Sequence, residues 1–247
     1  MATPRTARVT AAEWLANDTR LVHLGAEEPL GFVGGQYVIV DSGRVLDNGK
    51  AAKRAYSILS ADTAQTRVAL AVMRIPGGRC SSFMHEVHVG DEVRFSGPWG
   101  KLYPPEHARG RTLVLATDTG ISAALGLVQS ARFVPLLADT VLFWLRTSPD
   151  YFLPEPFVRA LVPPACDLRI APIPPIGDPL RVPYARALFD GVLAQGPLAH
   201  GFIAGDGAVN YALLADLVAA GVPATKDHVE SFFNMPKKSA PPALEAS

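Results

Sequence analysis

The chain has 247 residues, 49% of them apolar, and its 23 basic and 23 acidic residues balance to a formal charge of zero. This length and apolar content allow a sizeable core, and we expect two domains. The neutral charge and the lack of a basic stripe argue against nucleic acid or an anionic membrane as the main partner. No apolar run approaches the roughly 20 residues that span a bilayer.

Cysteine and histidine content limits the metal and redox chemistry of the chain. Cys80 and Cys166 are the only cysteines, so this chain alone cannot hold a four-cysteine iron–sulfur cluster or build a disulfide framework. His85 and His88 lie three residues apart without a third ligand, so we interpret them as a solvated helix face and expect no metal site. Residues 1–8 are polar and lack the apolar core of a secretion signal. We therefore expect a monomeric, cytoplasmic protein.

The first hundred residues alternate between short strands and turns. Strand character occurs over residues 14–26, 34–40, 54–59, 67–75 and 90–95. Gly, Asp and Asn over residues 42–50 favour a loop, residues 81–87 a short helix capped by a serine, and residues 97–100 a closing turn. This spacing predicts an antiparallel β-barrel domain over residues 1–106.

After the prolines at 104 and 105 the pattern changes to buried strands alternating with helices. Strands are predicted over residues 112–116, 141–145, 168–173 and 200–204, and helices over 121–133, 154–161, 184–194 and 208–220. Continuous apolar strands of this kind are typical of parallel sheets. The alternation predicts a doubly wound α/β domain over residues 107–236. Residues 237–247, rich in Pro and Ala, are expected to form a disordered tail.

Two stretches of the first half suggest a ligand. On a strand, Arg54 and Tyr56 share one face and Ser57 lies on the other. A guanidinium beside an aromatic ring suits a ligand that is both anionic and aromatic, such as a flavin dinucleotide. Residues 76–83 run from a glycine turn into a serine-rich helix start, whose free backbone N–H groups suit a phosphate. An ordinary barrel strand and a capped surface helix remain the alternatives.

Four motifs in order resemble the ferredoxin–NADP reductase superfamily, most of all the flavin- and nucleotide-binding part of oxygenase reductases. Residues 35–37 resemble its entry strand, 54–57 its R-x-Y-S motif, 78–81 its G-x-x-S motif and 97–100 its G-P-x-G turn. By that resemblance Arg54 holds the FAD pyrophosphate, Tyr56 stacks on the isoalloxazine, and Ser57 hydrogen-bonds near the flavin N5. The resemblance makes Tyr56 and Ser57 the catalytic residues. The flavin-binding residues that it implies are Arg54, Ala55, Tyr56, Ser57, Val72, Met73, Arg74, Ile75, Gly78, Cys80, Ser81 and Ser82.

The second half resembles the nicotinamide-nucleotide domain of the same superfamily. Residues 116–123 resemble its nucleotide loop, except that Asp118 replaces a usual glycine and Ala123 a usual proline. Since a carboxylate repels a pyrophosphate, either Asp118 points away or nucleotide binding is weakened. Residues 204–207 resemble the turn facing the nicotinamide, with Ala204 in place of a cysteine. The nucleotide-binding residues implied are Thr117, Asp118, Thr119, Gly120, Arg146, Gly205, Asp206 and Phe233.

Two points stay open in the second half. Arg146 lies where the resemblance puts the ribose, so it pairs with the 2′-phosphate of NADPH or is a solvated Arg, and NADPH or NADH remains undecided. Residues 230–233 resemble the carboxyl-terminal strand that lies near the flavin in relatives, and the alternative is that two phenylalanines simply anchor the last strand. For the loops at residues 116–123 and 204–207, the alternative is that they are only the tight glycine turns that any doubly wound sheet needs.

The sequence leads to two hypotheses. The first is an FAD-dependent NAD(P)H oxidoreductase that passes electrons from a nicotinamide nucleotide through FAD to a separate ferredoxin, flavodoxin or oxygenase component. The second is a flavin-binding electron-transfer subunit with impaired nicotinamide binding, which Asp118 and Ala204 motivate.

Overall fold

A six-stranded antiparallel sheet forms the first part of the protein. The computed structural model describes residues 4–235. Its first six strands are β1 (Arg5–Ala16), β2 (Thr19–Gly25), β3 (Tyr37–Val45), β4 (Ala51–Ser57), β5 (Arg67–Met73) and β6 (Glu92–Trp99), in the spatial order β4-β3-β6-β1-β2-β5. Just beyond β4, the backbone N of Leu59 donates to the backbone O of Ala69 on β5 at 2.9 Å. The sheet is therefore curled into a barrel.

A five-stranded parallel sheet forms the second part. Its strands are β7 (Thr112–Thr117), β8 (Thr140–Arg146), β9 (Asp167–Pro172), β10 (His200–Asp206) and β11 (Val229–Phe233), in the order β11-β10-β7-β8-β9. Every residue of β7 is buried, as expected where helices cover both faces. The predicted fold class, an antiparallel barrel followed by a doubly wound parallel sheet, is confirmed.

Five α-helices and three 3₁₀ helices connect these strands. The α-helices are α1 (Arg79–Glu86), α2 (Ile121–Val128), α3 (Glu155–Leu161), α4 (Arg181–Leu193) and α5 (Gly207–Ala219) among residues 4–235. The 3₁₀ helices there are Asp118–Gly120, Ala131–Asp139 and Lys226–His228. In the same part of the chain no single helix is long and apolar enough to cross a membrane. Asp118–Val128 and Ala131–Asp139 reach that length and composition only as a pair, bent by 105° at the break.

Three predictions about the strands were wrong. The single strand predicted over residues 14–26 is instead the end of β1, a turn at residues 17–18 and β2. Most of β1 was not predicted, and this strand pairs with both β2 and β6. Strand β3 continues to Val45 instead of entering a loop at residue 42, because its later residues still pair with β4. Residues 97–99 are not a turn but part of β6. The register against β3 shifts there, between Tyr37 and Ile39, as a bulge in which Gly97 has φ of 129°.

Three predictions about helices also need correction. Helix α1 begins after Gly78 without a side-chain cap, because the Ser81 hydroxyl instead bonds within the preceding turn. His85 is not solvated: it is buried and its Nε2 lies 2.8 Å from the Val72 carbonyl oxygen. The helix predicted over residues 121–133 ends at Val128, since Ser130 caps a separate 3₁₀ helix by accepting from Arg132 N. The predicted tail at 237–247 lies outside the described residues.

Helix α2 packs directly against the barrel. A Cβ added to Gly34 would lie 2.1 Å from the Gly126 carbonyl oxygen, and one added to Gly126 would lie 2.2 Å from that of Ile58. Asp62, in the loop after β4, accepts hydrogen bonds from Ser130 Oγ at 2.5 Å and from Ala131 N at 2.9 Å. Close backbone packing and these hydrogen bonds fix the barrel against the parallel sheet, so the site between them has a defined geometry.

Candidate flavin and nucleotide site

Strand β4 presents a cation and an aromatic ring on the same face. Arg54 and Tyr56 lie opposite Val40 and Val38 of β3, so both side chains point to one side of the sheet, as alternation requires. Arg54 is exposed, and no acidic side chain among residues 4–235 pairs with it, whereas the neighbouring Lys53 lies 3.2 Å from an Asp41 oxygen. Arg54 is thus a cation available to an anionic ligand.

The hydroxyl of Tyr56 is a buried donor without an acceptor. Its oxygen has no hydrogen-bond partner among the described residues, and the Cys80 thiol of α1 lies beside it. Burial raises the pKa of Tyr56 well above its ordinary value, so the group keeps its proton. Because an unpaired buried donor is costly, a ligand that brings an oxygen to this position fits it.

The turn from Ile75 to Ser82 lies next to Arg54 and Tyr56. Cys80 Sγ is 3.8 Å from the carbonyl oxygen of Val40, which is the cross-strand partner of Arg54. A Cβ on Gly78 would lie 2.6 Å from Ser81 Oγ and 3.0 Å from the Ile75 carbonyl oxygen, so a larger residue there would displace the Ser81 hydroxyl that shapes the turn. The Ser81 hydroxyl accepts from Ile75 N and donates to Gly78 O, which assigns it to shaping the turn. The backbone N–H groups of the first turn of α1, and the hydroxyl of Ser82, remain available to bind a phosphate.

The other sequence-predicted flavin residues surround this arrangement. Ser57 is buried at the end of β4 opposite Tyr37, and Ala55 is exposed on the same strand. Val72 is buried at the end of β5 and Met73 is half-buried, whereas Arg74 and Ile75 are exposed on the way to α1. The structure therefore gathers the predicted flavin residues of β4, β5 and α1 along one side of the barrel.

The two predicted nucleotide turns lie against each other at the carboxyl ends of β7 and β10. A Cβ on Gly120 would lie 2.2 Å from the Ala204 carbonyl oxygen, and one on Gly205 would lie 2.3 Å from that of Thr117. The Thr117 hydroxyl accepts from Asp206 N at 2.7 Å, and Thr119 is half-buried in the same turn. Strand β7 is also where the strand order reverses direction, the usual ligand position in open α/β sheets.

Asp118 points away from this crevice and into the protein. Its φ of 50° is the left-handed conformation that a glycine adopts freely, and its carboxylate Oδ2 lies 2.5 Å from Arg181 Nη2. Arg181 Nε lies 2.6 Å from Asp206 Oδ2, and all three side chains are at least 98% buried. Arg181 is the first residue of α4. The Asp118 carboxylate, which the sequence analysis expected to repel a pyrophosphate, is instead paired with Arg181 inside the protein.

Arg146, the predicted ribose residue, lies at the carboxyl end of β8 and already has partners. Its Nη2 is 2.6 Å from Glu155 Oε2, its Nη1 donates to the Pro149 carbonyl oxygen, and its guanidinium lies 4.9 Å from the ring centroid of Trp144. Only 12% of its side chain is exposed. Neither of the two sequence interpretations of Arg146, a phosphate ligand or a solvated Arg, anticipated this pairing.

Strand β11 brings an acidic residue to the barrel. A Cβ added to Gly100 would lie 2.6 Å from Glu230 Oε1, and the Glu230 charge helps to raise the pKa of Tyr37, after burial. Burial raises the pKa of Glu230 itself to about 7. Since Tyr37 is the cross-strand partner of Ser57, Glu230 lies near the end of the predicted flavin strand. Phe233, three residues later on β11, is half-buried opposite Asp206.

Comparison with known proteins agrees with this arrangement. The model of a family described as "Oxidoreductase FAD-binding domain" matches residues 6–103, which include the Arg54 strand and the Gly78 turn. This match supports the resemblance of the chain to the ferredoxin–NADP reductase superfamily. Relatives that resemble the chain include the aromatic O-demethylase reductase subunit of Amycolatopsis sp. (strain ATCC 39116 / 75iv2), 34% identical over 51% of this chain and 38% of the relative. Another is ferredoxin–NADP reductase B of Sorangium cellulosum (strain So ce56), 34% identical over 41% of this chain and 42% of the relative.

Solved structures share the fold of this chain. An Amycolatopsis cytochrome P450 reductase has a TM-score of 0.71 at 22% identity, with 96% of this chain and 72% of that one covered. The ferredoxin reductase in carbazole 1,9a-dioxygenase has a TM-score of 0.73 at 20% identity, with 94% and 70% covered. The chain spans about two fifths of the two curated relatives named above, so their activities do not transfer to it directly.

Two residues near the candidate site were missed by the sequence analysis. Arg181 was left unplaced, although an Asp at a glycine position needs a counter-ion, because its partners lie 63 and 25 positions away. Glu230 was noted in the last strand but not selected, since only the packing of β11 on the barrel shows its burial. Both residues act through contacts between distant segments, which single-sequence patterns do not reveal.

Glu230 predicts a measurable pH dependence of stability. Its raised pKa means that the folded protein binds a proton between about pH 4.5 and 7 that the unfolded chain releases. The free energy of unfolding contributed by Glu230 therefore falls as the pH rises through this window. We expect Glu230→Gln to have little effect at pH 5 and to stabilise the protein by roughly 1–2 kcal/mol at pH 8. Urea unfolding at both pH values measures this, and an equal effect at both would contradict it.

Proposed function

We propose that the protein is an FAD-dependent NAD(P)H oxidoreductase that passes electrons from a nicotinamide nucleotide to a separate redox protein. The single observation that supports this most is the placement of the unpaired Arg54 cation and the buried Tyr56 hydroxyl beside the Gly78 turn. These are the groups that a dinucleotide with an aromatic ring and a pyrophosphate requires. The family match over residues 6–103 supports the same cofactor.

In the flavin site, the chain's residues bind and orient. Arg54 and the first-turn amides of α1 offset the charge of the pyrophosphate, while Tyr56 gives a ring for stacking and a hydroxyl donor. The fixed position of Ser57 at the end of β4 suits a hydrogen bond to the ring system. Bound FAD would supply the capacity to accept electrons in pairs and release them singly.

In the nucleotide site, the crevice at the carboxyl ends of β7 and β10 takes the nicotinamide nucleotide. Thr119, Gly120 and Gly205 lie at the two turns, and Asp118 does not oppose the pyrophosphate because its carboxylate is bonded to Arg181. This pairing removes the main reason for the alternative, an electron-transfer subunit with impaired nicotinamide binding. Phe233 and Glu230 would close the crevice on the barrel side.

The electron acceptor in this proposal is a ferredoxin, a flavodoxin or an oxygenase component. Relatives named as reductase subunits of oxygenase systems support that class of partner. Cys80 in α1 and Cys166 just before β9 are buried free thiols, and two cysteines offer no iron–sulfur centre of the four-cysteine kind. We also propose that the barrel domain ends near residue 106 and that the α/β domain follows it. The protein is proposed to be a monomer in the cytoplasm.

Flavin binding tests the first half of the proposal. We expect purified protein to be yellow with FAD, and Arg54→Met to weaken FAD binding by roughly 10- to 100-fold, as expected for loss of a hydrogen bond between charged groups. Lys53→Met is the matched control, since Lys53 is an exposed cation on the same strand that already pairs with Asp41. Isothermal titration with FAD measures both variants. A colourless protein that takes up no FAD, or equal losses in the two variants, would overturn the proposed flavin site.

Nucleotide oxidation tests the second half. Stopped-flow mixing of the FAD-loaded protein with NADH and with NADPH should bleach the flavin absorbance rapidly with at least one of them. Absence of bleaching by both would favour the electron-transfer subunit instead.

A further inference from the structure

A groove lies at the carboxyl ends of β8 and β9. It has a volume of about 260 Å³ and is lined by the charged residues Arg146, Glu155 and Arg159 and by Ile170, Ala171 and Pro172. This volume is below the ~300–1,000 Å³ of sites that enclose a whole drug-sized ligand, so it suits one end of an extended ligand.

The position of this groove relates it to the nucleotide crevice. Strand β7 ends at the glycine turn, and β8 is its neighbour in the sheet. In dinucleotide-binding sheets of this kind, a side chain that follows the second strand contacts the ribose, an acid bonding the 2′-hydroxyl and an Arg pairing with a 2′-phosphate. Here both types are present, and they are bonded to each other.

The bonds in the groove determine which group is available. Arg146 is held by Glu155, by the Pro149 carbonyl oxygen and by the face of Trp144. Arg159 Nε and Nη2 both contact Glu155 Oε1, at 2.9 and 2.8 Å. Glu155 is one-third exposed and its Oε2, which contacts only Arg146, has a further lone pair, so it can accept a hydrogen bond from a hydroxyl without loss of either Arg. A 2′-phosphate would have to approach this carboxylate and replace it as the partner of Arg146 or Arg159.

We propose that Glu155 makes the groove selective for an adenosine ribose with a free 2′-hydroxyl, so that this protein uses NADH in preference to NADPH. This inference rests on the proposed function, because it assumes that a nicotinamide nucleotide binds across β7 and β8. The two guanidiniums leave a net positive charge in the groove, so the discrimination is finite.

Binding of NAD⁺ and NADP⁺, which differ only in the 2′-phosphate, tests the proposal on the FAD-loaded protein. We expect calorimetry to give about tenfold tighter binding of NAD⁺, on the scale of one hydrogen bond to a charged group. Glu155→Gln should abolish or reverse this preference, because it removes the carboxylate and frees both Arg side chains. Asp167→Asn is the matched control: it removes a carboxylate paired with Arg169 at the opposite end of β9 and should keep the preference.

The outcomes separate this inference from the proposed function. Equal or tighter binding of NADP⁺ by the unsubstituted protein overturns the selectivity, as does an unchanged ratio in Glu155→Gln. Failure of both nucleotides to bind a protein that carries FAD overturns the inference together with the nucleotide half of the proposed function. Stopped-flow reduction by NADH and NADPH provides an independent readout, in which the same ratio should appear in the rates at limiting nucleotide.

Discussion

Arg181→Met is expected to destabilise the protein by about 3–5 kcal/mol, the loss seen when one member of a buried ion pair is removed. The guanidinium lies between the Asp118 and Asp206 carboxylates and also donates to Thr147 Oγ1 and the Pro174 carbonyl oxygen. Methionine keeps the apolar volume but leaves two buried carboxylates without the cation that they share. Urea unfolding followed by circular dichroism measures the change.

Arg186→Met on the same helix is the control for this prediction. Arg186 pairs with Asp216 at 2.7 Å, but about half of its side chain is exposed, so its loss should cost at most about 1 kcal/mol. Equal effects of the two substitutions would contradict the importance of the buried network. Asp118→Gly tests the same network by removing a carboxylate instead of the cation. Glycine relieves the strain of the positive φ at this position, but we expect net destabilisation because Arg181 loses one of its two carboxylate partners.

Gly126→Ala is expected to destabilise the protein by about 1–3 kcal/mol, the usual range for inserting atoms into a packed core. Helix propensity alone predicts the opposite, since alanine in a helix interior is favoured over glycine by roughly 1 kcal/mol. The new Cβ would lie 2.2 Å from the Ile58 carbonyl oxygen, a backbone atom at the end of the flavin strand. The barrel and helix α2 would have to separate, and we also expect weaker FAD binding because Ile58 follows Ser57.

Gly191→Ala is the matched control, because Gly191 is also inside a helix but a Cβ there meets no atom within 4 Å. We expect it to stabilise the protein by about 0.5–1 kcal/mol and to leave FAD binding unchanged. Thermal unfolding and FAD titration of both variants measure the contrast. Stabilisation by both substitutions would show that the contact between α2 and the barrel is looser than the structure describes.

The sequence by itself determined the features that depend on local pattern. Period-two alternation and glycine turns predicted the barrel, and continuous apolar segments such as 112–116 and 141–145 predicted the parallel sheet, because burial on one or two faces leaves a distinct periodicity. The motif at Arg54–Ser57 also predicted a flavin strand, since neighbouring positions on a strand have fixed relative directions. Local pattern failed at β1 and at the Gly97 bulge, whose conformations depend on pairing with other strands.

Only the tertiary structure decided how charges and close contacts are arranged. The sequence left two alternatives for Asp118, and the choice between them depends on Arg181, 63 positions later. It left Arg146 open as well, because the contact with Glu155 follows from where the loop after β8 turns. Buried ion pairs and desolvated groups such as Glu230 depend on distances between segments that are remote in the chain, and residue patterns record only neighbours.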